Sequence, residues 1–228
     1  DYFKEVNIET PVVPDAVDQV DVNVSVTEKK TGSFNIGAGY GQSEGPILIA
    51  SLSQANFLGS GKTVTLQANT SSSNTTYSLG VTNPYATPDG VSVGWNVYTR
   101  KYDPSELDLG DYSTDSMGAG MSIGLPVSEE NRVNLTANVE LLDIKTTAES
   151  PQYVRDFVKR YGDSNKIFTV GANWARDTRD SATYPTKGAY YKLGTEIETP
   201  GSTTKYYKLS TENQMFYTPF ADLTAMWG

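Results

Sequence analysis

A two-residue hydrophobic period, recurring about ten times between Ser33 and Trp227, constrains this chain more than any other feature. Val64, Leu66 and Ala68 alternate with Thr65, Gln67 and Asn69; Val91, Val93, Trp95 and Val97 alternate with Ser92, Gly94, Asn96 and Tyr98. The same rhythm runs through Tyr77–Thr82, Met117–Leu125, Val133–Leu141, Phe168–Trp174, Tyr191–Ile197, Tyr207–Glu212 and a shorter stretch, Asp222–Trp227. Gly45–Phe57 is a weaker case, because Ile47 and Ile49 make both of its faces start apolar. Helices repeat every 3.6 residues, so this pattern predicts an all-β chain of antiparallel strands with one apolar face.

The polar face decides what kind of sheet this is. Outward residues of a water-soluble sandwich meet solvent and should be rich in Lys, Glu and Thr, whereas here many are Gly, Ser and Asn. Small polar residues suit the crowded or water-filled inside of a barrel, with the apolar face turned to lipid. Mean hydropathy is only −0.43, and no run of 18 apolar residues exists to form a transmembrane helix. Barrel strands escape that criterion, because they cross with about 9–11 alternating residues. The prediction is an antiparallel transmembrane β-barrel; a passive pore and a secreted β-sandwich adhesin are the competing readings, the latter requiring solubility without detergent.

Thr31–Gly41, TGSFNIGAGYG, departs from the other repeats. Phe34, Ile36, Ala38 and Tyr40 share one parity, while Asn35, Gly37, Gly39 and Gly41 form a nearly bare second face. Glycine weakens strand pairing and leaves nothing to pack, which marks a strand whose backbone is approached or released, or one fitting a tightly curved wall. Before it, Tyr2–Val13 and Val20–Lys29 form two further strand patterns around the turn Pro14–Asp18. The chain opens at Asp1 in mid-pattern and is expected to be part of a longer polypeptide.

Connections alternate between the two ends of the strands. Leu58–Gly61, Pro84–Gly90, Val127–Asn131 and Asp177–Gly188 fall at the end shared with the N-terminal segment, and Ser43–Gly45, Ser71–Asn74, Asp103–Tyr112, Thr147–Asn165 and Pro200–Thr203 at the other. Thr147–Asn165 carries one predicted helix, with Ser150 as cap, Pro151 at its first position and Gly162 after its end. Tyr153, Val154, Phe157, Val158 and Tyr161 form its apolar stripe, which suits a helix lying on the barrel rim; Arg155, Lys159 and Arg160 offer a headgroup or partner contact as the alternative.

Candidate chemistry is sparse. The chain holds neither Cys nor His and carries a net charge of −9. Disulfides, thiolate metal sites, histidine bases and the basic footprint of a nucleic-acid binder are therefore missing. Gly59-Ser60-Gly61-Lys62-Thr63 ends like a phosphate loop, but Asn56 replaces the required first glycine and a strand pattern follows where a helix is needed. Asp177-Thr178-Arg179-Asp180 suits a self-satisfied charged turn, and Glu140, Asp143, Glu196 and Glu212 suit lining of a wet lumen. No enzyme, metal or cofactor is expected.

DYFKEV, DQVDVNVSVTE, TGSFNIGAGYG, QANFLGSG, VTNPYATPDGVS, DTRD followed by YPTKG, and TPGSTTKYYKL resemble, in order, segments of the BamA family of outer-membrane protein assembly factors. The resemblance implies that residues 1–30 end a periplasmic α/β POTRA domain near Lys30, and that residues 31–228 supply ten strands and the start of an eleventh of a sixteen-stranded barrel. The family's VRGF loop and terminal strand have no counterpart within the chain, which is then not closed by itself. The resemblance further implies that Phe34–Gly41 pairs with strands of nascent outer-membrane proteins at a lateral seam, while the N-terminal segment meets periplasmic accessory lipoproteins and the apolar face meets outer-membrane lipid. Two-partner secretion and TamA-like translocation barrels share this layout and are the alternative within the resemblance.

Overall fold

The computed structural model describes residues 3–11, 20–29, 31–107, 110–220 and 223–228. The predicted turn Pro14–Asp18, Lys30 as a domain end and Asp222 as the start of a strand lie outside the described residues. β1 (Phe3–Glu9) and β2 (Asn23–Glu28) pair antiparallel, with Val6 opposite Val26 and Ile8 opposite Val24.

The eleven alternating segments form eleven strands of one sheet, each paired with its sequence neighbour. These are β3 (Gly32–Gly41), β4 (Gly45–Gln54), β5 (Thr63–Thr70), β6 (Asn74–Asn83), β7 (Ser92–Tyr102), β8 (Tyr112–Pro126), β9 (Asn131–Thr146), β10 (Ser164–Asp177), β11 (Gly188–Glu198), β12 (Tyr207–Phe220) and β13 (Leu223–Trp227). All pairings are antiparallel, and β3 and β13 are the two edges.

Among the described residues the apolar face has no second layer. Trp95, Leu135 and Val170, each from a different strand, are all exposed, as are Leu66, Tyr77, Val97, Phe168 and Leu193. In water such a face would be an aggregation surface; on a barrel wall it is where hydrocarbon lies. Among the described residues the buried apolar side chains are Ile144, Val154 and Pro104. Ile144 and Val154 belong to β9 and α1 (Gln152–Tyr161), which are in contact, and Pro104 to the β7–β8 connection, so what is packed lies at the connections rather than at the centre of the sheet.

Register reveals strand tilt. One row of register partners passes through Phe34, Leu52, Leu66, Leu79, Val97, Ala119, Val139 and Phe168. Phe34 stands two residues from the start of β3, whereas Phe168 stands nine residues from the corresponding end of β10, Asp177. A slip of about one residue per strand, at about 3.3 Å rise and 4.8 Å spacing, is a tilt of about 35°, within the barrel range.

On the opposite face glycines make room for neighbours' side chains. A β-carbon on Gly118 would lie 2.5 Å from Cζ of Tyr98, whose hydroxyl donates to Glu140 across the intervening strand. Likewise, Gly94 would meet Ser122 Oγ at 2.7 Å, Gly120 would meet Asn96 Oδ1 at 2.5 Å, and Gly171 would meet Thr136 Oγ1 at 2.7 Å. These glycines let polar groups lie flat across the inner wall, which crowds the lumen without apolar packing.

Two expectations are corrected. Asp143 does not share the inner face with Glu140: it falls on the parity of Leu135 and Leu141, opposite Asp115, in an outward row beyond the apolar band. Ser150 does not cap α1, whose cap position is Pro151 without a side-chain bond. Its hydroxyl instead accepts the Thr147 N–H at 2.7 Å and donates to the Asp111 carbonyl, tying two connections together.

Candidate functional site

β3 contains no charge and no proline. Exposed sheet edges are normally defended by lysine, proline or a bulge, because their free N–H and C=O groups template further strands. Gly32–Gly41 lacks those defences, and its register to β4 runs unbroken from Gly32 opposite Gln54 to Gly41 opposite Gly45. Apart from Gly41, every residue of the strand is exposed.

Both ends of β3 are held. At its start the Thr31 carbonyl accepts the Ala55 N–H at 2.9 Å, and Gln54 Nε2 donates to Thr31 Oγ1 at 2.8 Å and to the Ala55 carbonyl at 3.0 Å. At its end Gly45 turns the hairpin with φ +64°, a conformation that glycine adopts without strain. The Ser72 N–H and hydroxyl then bind the Glu44 carbonyl at 3.2 and 2.9 Å, anchoring this hairpin to the next connection. Gln54 carries no sequence signal for the site, since only the pairing of β3 with β4 brings its amide against Thr31.

Backbone direction follows from that first bond. In an antiparallel ladder the N–H and C=O of one residue point the same way and alternate along the strand. Thr31 faces β4, so Ser33, Asn35, Gly37, Gly39 and Gly41 do too, and the groups of Gly32, Phe34, Ile36, Ala38 and Tyr40 face the open edge. The open backbone groups therefore belong to the residues whose side chains, Phe34, Ile36, Ala38 and Tyr40, lie on the outer face.

Inside the wall the edge is empty. Asn35 reaches Ser51 Oγ only at 3.4 Å. A β-carbon on Gly37 or Gly39 would meet nothing within 4 Å, unlike those on Gly94, Gly118, Gly120 and Gly171. Opposite them stand Ile49 and Ile47, the residues that made β4 apolar on both faces. Gly37 and Gly39 are thus not spacers for neighbouring side chains, and this part of the strand is held mainly by its backbone ladder to β4.

The remaining sequence candidates resolve as structure. Gly59 and Gly61 turn at φ +76° and +71°, and Thr63 opens a strand rather than a helix, so no phosphate loop forms. Arg179 pairs with Asp177 at 2.7 Å and lies 4.9 Å from the Tyr190 ring centre. Asp180 closes the same turn, accepting the Thr186 and Lys187 N–H groups at 2.9 and 3.2 Å and the Thr186 hydroxyl at 2.5 Å. The Thr186 hydroxyl, then those two N–H groups, bring its carboxyl down to about 2. Because the folded value is depressed, this latch is fully formed above the ordinary carboxylate value of about 4 and is lost as pH falls through about 2. Hydrogen exchange should show Thr186 and Lys187 protected at pH 4 and open near pH 2, and Asp180→Asn should abolish that pH dependence.

Residues 56–227 match the Omp85 superfamily domain. The outer membrane protein assembly factor BamA of Neisseria meningitidis serogroup B is 35% identical over 230 residues, covering 96% of this chain and 29% of that protein. BamA of Nitratidesulfovibrio vulgaris is 29% identical over 201 residues, 86% of this chain and 24% of that protein. The chain therefore spans less than a third of these curated relatives. The crystal structure of Haemophilus ducreyi BamA lacking POTRA domains 1–3 superposes with a TM-score of 0.80 at 26% identity, over 97% of this chain and 44% of that one. CdiB from Acinetobacter baumannii, at a TM-score of 0.52 and 12% identity over 97% of this chain and 42% of that one, shares the fold alone. With three quarters of its length matched and its strands forming an antiparallel barrel wall, the chain belongs to the Omp85 superfamily.

Proposed function

We propose that this chain is part of an outer-membrane protein assembly factor in which the edge of β3 templates the strands of incoming barrel proteins. The observation that carries this reading is β3 itself, an uncharged strand without proline whose inner face is vacant at Gly37 and Gly39 and whose backbone groups at Gly32, Phe34, Ile36, Ala38 and Tyr40 point away from β4. An extended client segment gains main-chain hydrogen bonds there by adding one more antiparallel strand. Little side-chain packing must be broken to release it. The names of the Neisseria and Nitratidesulfovibrio relatives support the same role.

In this reading residues 31–228 belong to a barrel in the bacterial outer membrane, and residues 1–30 end a periplasmic POTRA domain that links to accessory lipoproteins. The substrates are nascent outer-membrane proteins, no catalytic group takes part, and the apolar band contacts lipid. The test uses single cysteines in the full-length protein during client assembly. Asn35→Cys and Gly37→Cys should capture the client's terminal strand; Gly37→Cys is sterically free, with nothing within 4 Å of its β-carbon. Capture instead at Leu135→Cys or Tyr207→Cys would overturn the assignment of the edge.

A further inference from the structure

The turns at the end of the wall where β3 begins carry apolar tips. Leu58 is 89% exposed, Tyr184 83%, Tyr85 71% and Val127 64%, one in each of the four connections β4–β5, β6–β7, β8–β9 and β10–β11. The short connections at the opposite end are polar, Gln42-Ser43-Glu44 and Ser71-Ser72-Ser73. Of the longer connections at that end, two expose a tyrosine, Tyr153 and Tyr206.

Leu58 adds a second, independent observation. Asn56 and Leu58 are the non-glycine residues with positive φ among the described residues, at +52° and +50°. Asn56 has a local reason: its side chain tolerates this region, and its Oδ1 accepts the Gly61 N–H at 2.8 Å. Leucine has no polar group to compensate. Its conformation is imposed by a turn closed through Phe57 N–H to the Lys62 carbonyl at 2.8 Å and Gly59 N–H to the Asn56 carbonyl at 3.0 Å. Glycine would be the relaxed residue at this tip, yet the turn holds out a large apolar side chain. Backbone strain retained at such a position points to a function for the side chain.

The geometry points to a membrane anchor: Leu58, with Tyr85 and Val127, seats these turn tips in the headgroup–acyl boundary of the leaflet at this end. The occupant is lipid because these turns follow directly on strands whose outer faces are apolar. Leu66 and Val64 lead along β5 to the first turn, and Val127 follows the outward alternation Met121, Ile123, Leu125. Tyrosine at two tips fits the same boundary, where an apolar ring and a polar hydroxyl are both satisfied. The turns are then held at a fixed depth, which fixes the height of β3 and its neighbours in the bilayer.

The chain has no cysteine, so within it a fluorophore attached to Leu58→Cys, Val127→Cys or Ser72→Cys reports one position. In full-length protein reconstituted into phospholipid vesicles, NBD at 58 and 127 should be quenched by shallow doxyl lipid at least threefold more than NBD at 72, while aqueous iodide favours position 72. Iodide quenching at 58 equal to that at 72 would overturn the anchor. Insensitivity of position 58 to both quenchers would also overturn it, by placing protein rather than lipid over the tip.

Discussion

Ala38→Pro is expected to abolish client-strand capture while leaving the β3–β4 hairpin folded. The Ala38 N–H faces the open edge, so proline removes a donor that the β4 ladder does not use, and Gly37 before it is free to stay extended. An incoming strand would lose one hydrogen bond, leave a carbonyl unmatched and meet the ring. A penalty of about 1–3 kcal/mol for the unmatched group alone corresponds to about 5- to 150-fold in pairing. Crosslinking yield from Asn35→Cys measures it. Gly37→Pro should behave differently, because that N–H points to β4: the hairpin itself should fail, and the folded band on a heat-modifiability gel should weaken. Equal capture by wild type and Ala38→Pro would mean that clients do not pair with this edge.

The largest expected loss of stability lies at the opposite side of the sheet, in Gly188→Ala. Gly188 has φ +99°, and a β-carbon there would lie 2.7 Å from the Thr178 carbonyl carbon and 2.8 Å from Arg179 Cα. Both obstacles are backbone, in a turn already closed by Thr178 N–H to the Ala189 carbonyl at 2.8 Å and by the Asp180 latch. Left-handed strain of about 1–2 kcal/mol adds to overpacking of about 1–3 kcal/mol. Gly201→Ala separates the two contributions: its φ is +107°, but its β-carbon would touch only Phe168 Cδ2 at 4.0 Å. Urea unfolding in lipid vesicles should therefore rank Gly188→Ala well below Gly201→Ala, and Gly201→Ala modestly below wild type.

Strand existence and order were legible because the apolar face repeats with period two, and that face marks each of the eleven strands in turn. Strand ends were less so. β8 begins at Tyr112 and β9 continues to Thr146, several residues beyond the alternation seen at Met117–Leu125 and Val133–Leu141, because pairing persists through polar residues once the apolar band has ended. Charge alone groups Asp143 with Glu140, but its place two residues from Leu141 turns it outward. The α1 helix was visible in its stripe, but Ser150 had a stronger use than capping, and only the fold brings Asp111 to it. Within the site, the bare parity of Gly37 and Gly39 could be read directly. That they meet open space while Gly118 is roofed by Tyr98 depends on neighbours from other strands, as does the Tyr98–Glu140 bond over 42 residues. The left-handed backbone of Leu58 leaves no trace in residue type, since leucine is the wrong residue for it.

Everything proposed for β3 requires that the face bearing Phe34, Trp95 and Leu135 meets hydrocarbon. Nitroxide scanning of Val133–Leu141 on β9, in full-length protein reconstituted in lipid, tests this most directly. Labels at 133, 135, 137, 139 and 141 should collide with dissolved oxygen, and labels at 134, 136, 138 and 140 with a water-soluble nickel chelate. A flat profile, or one with the two sets exchanged, would contradict the barrel wall and the strand-templating edge that depends on it.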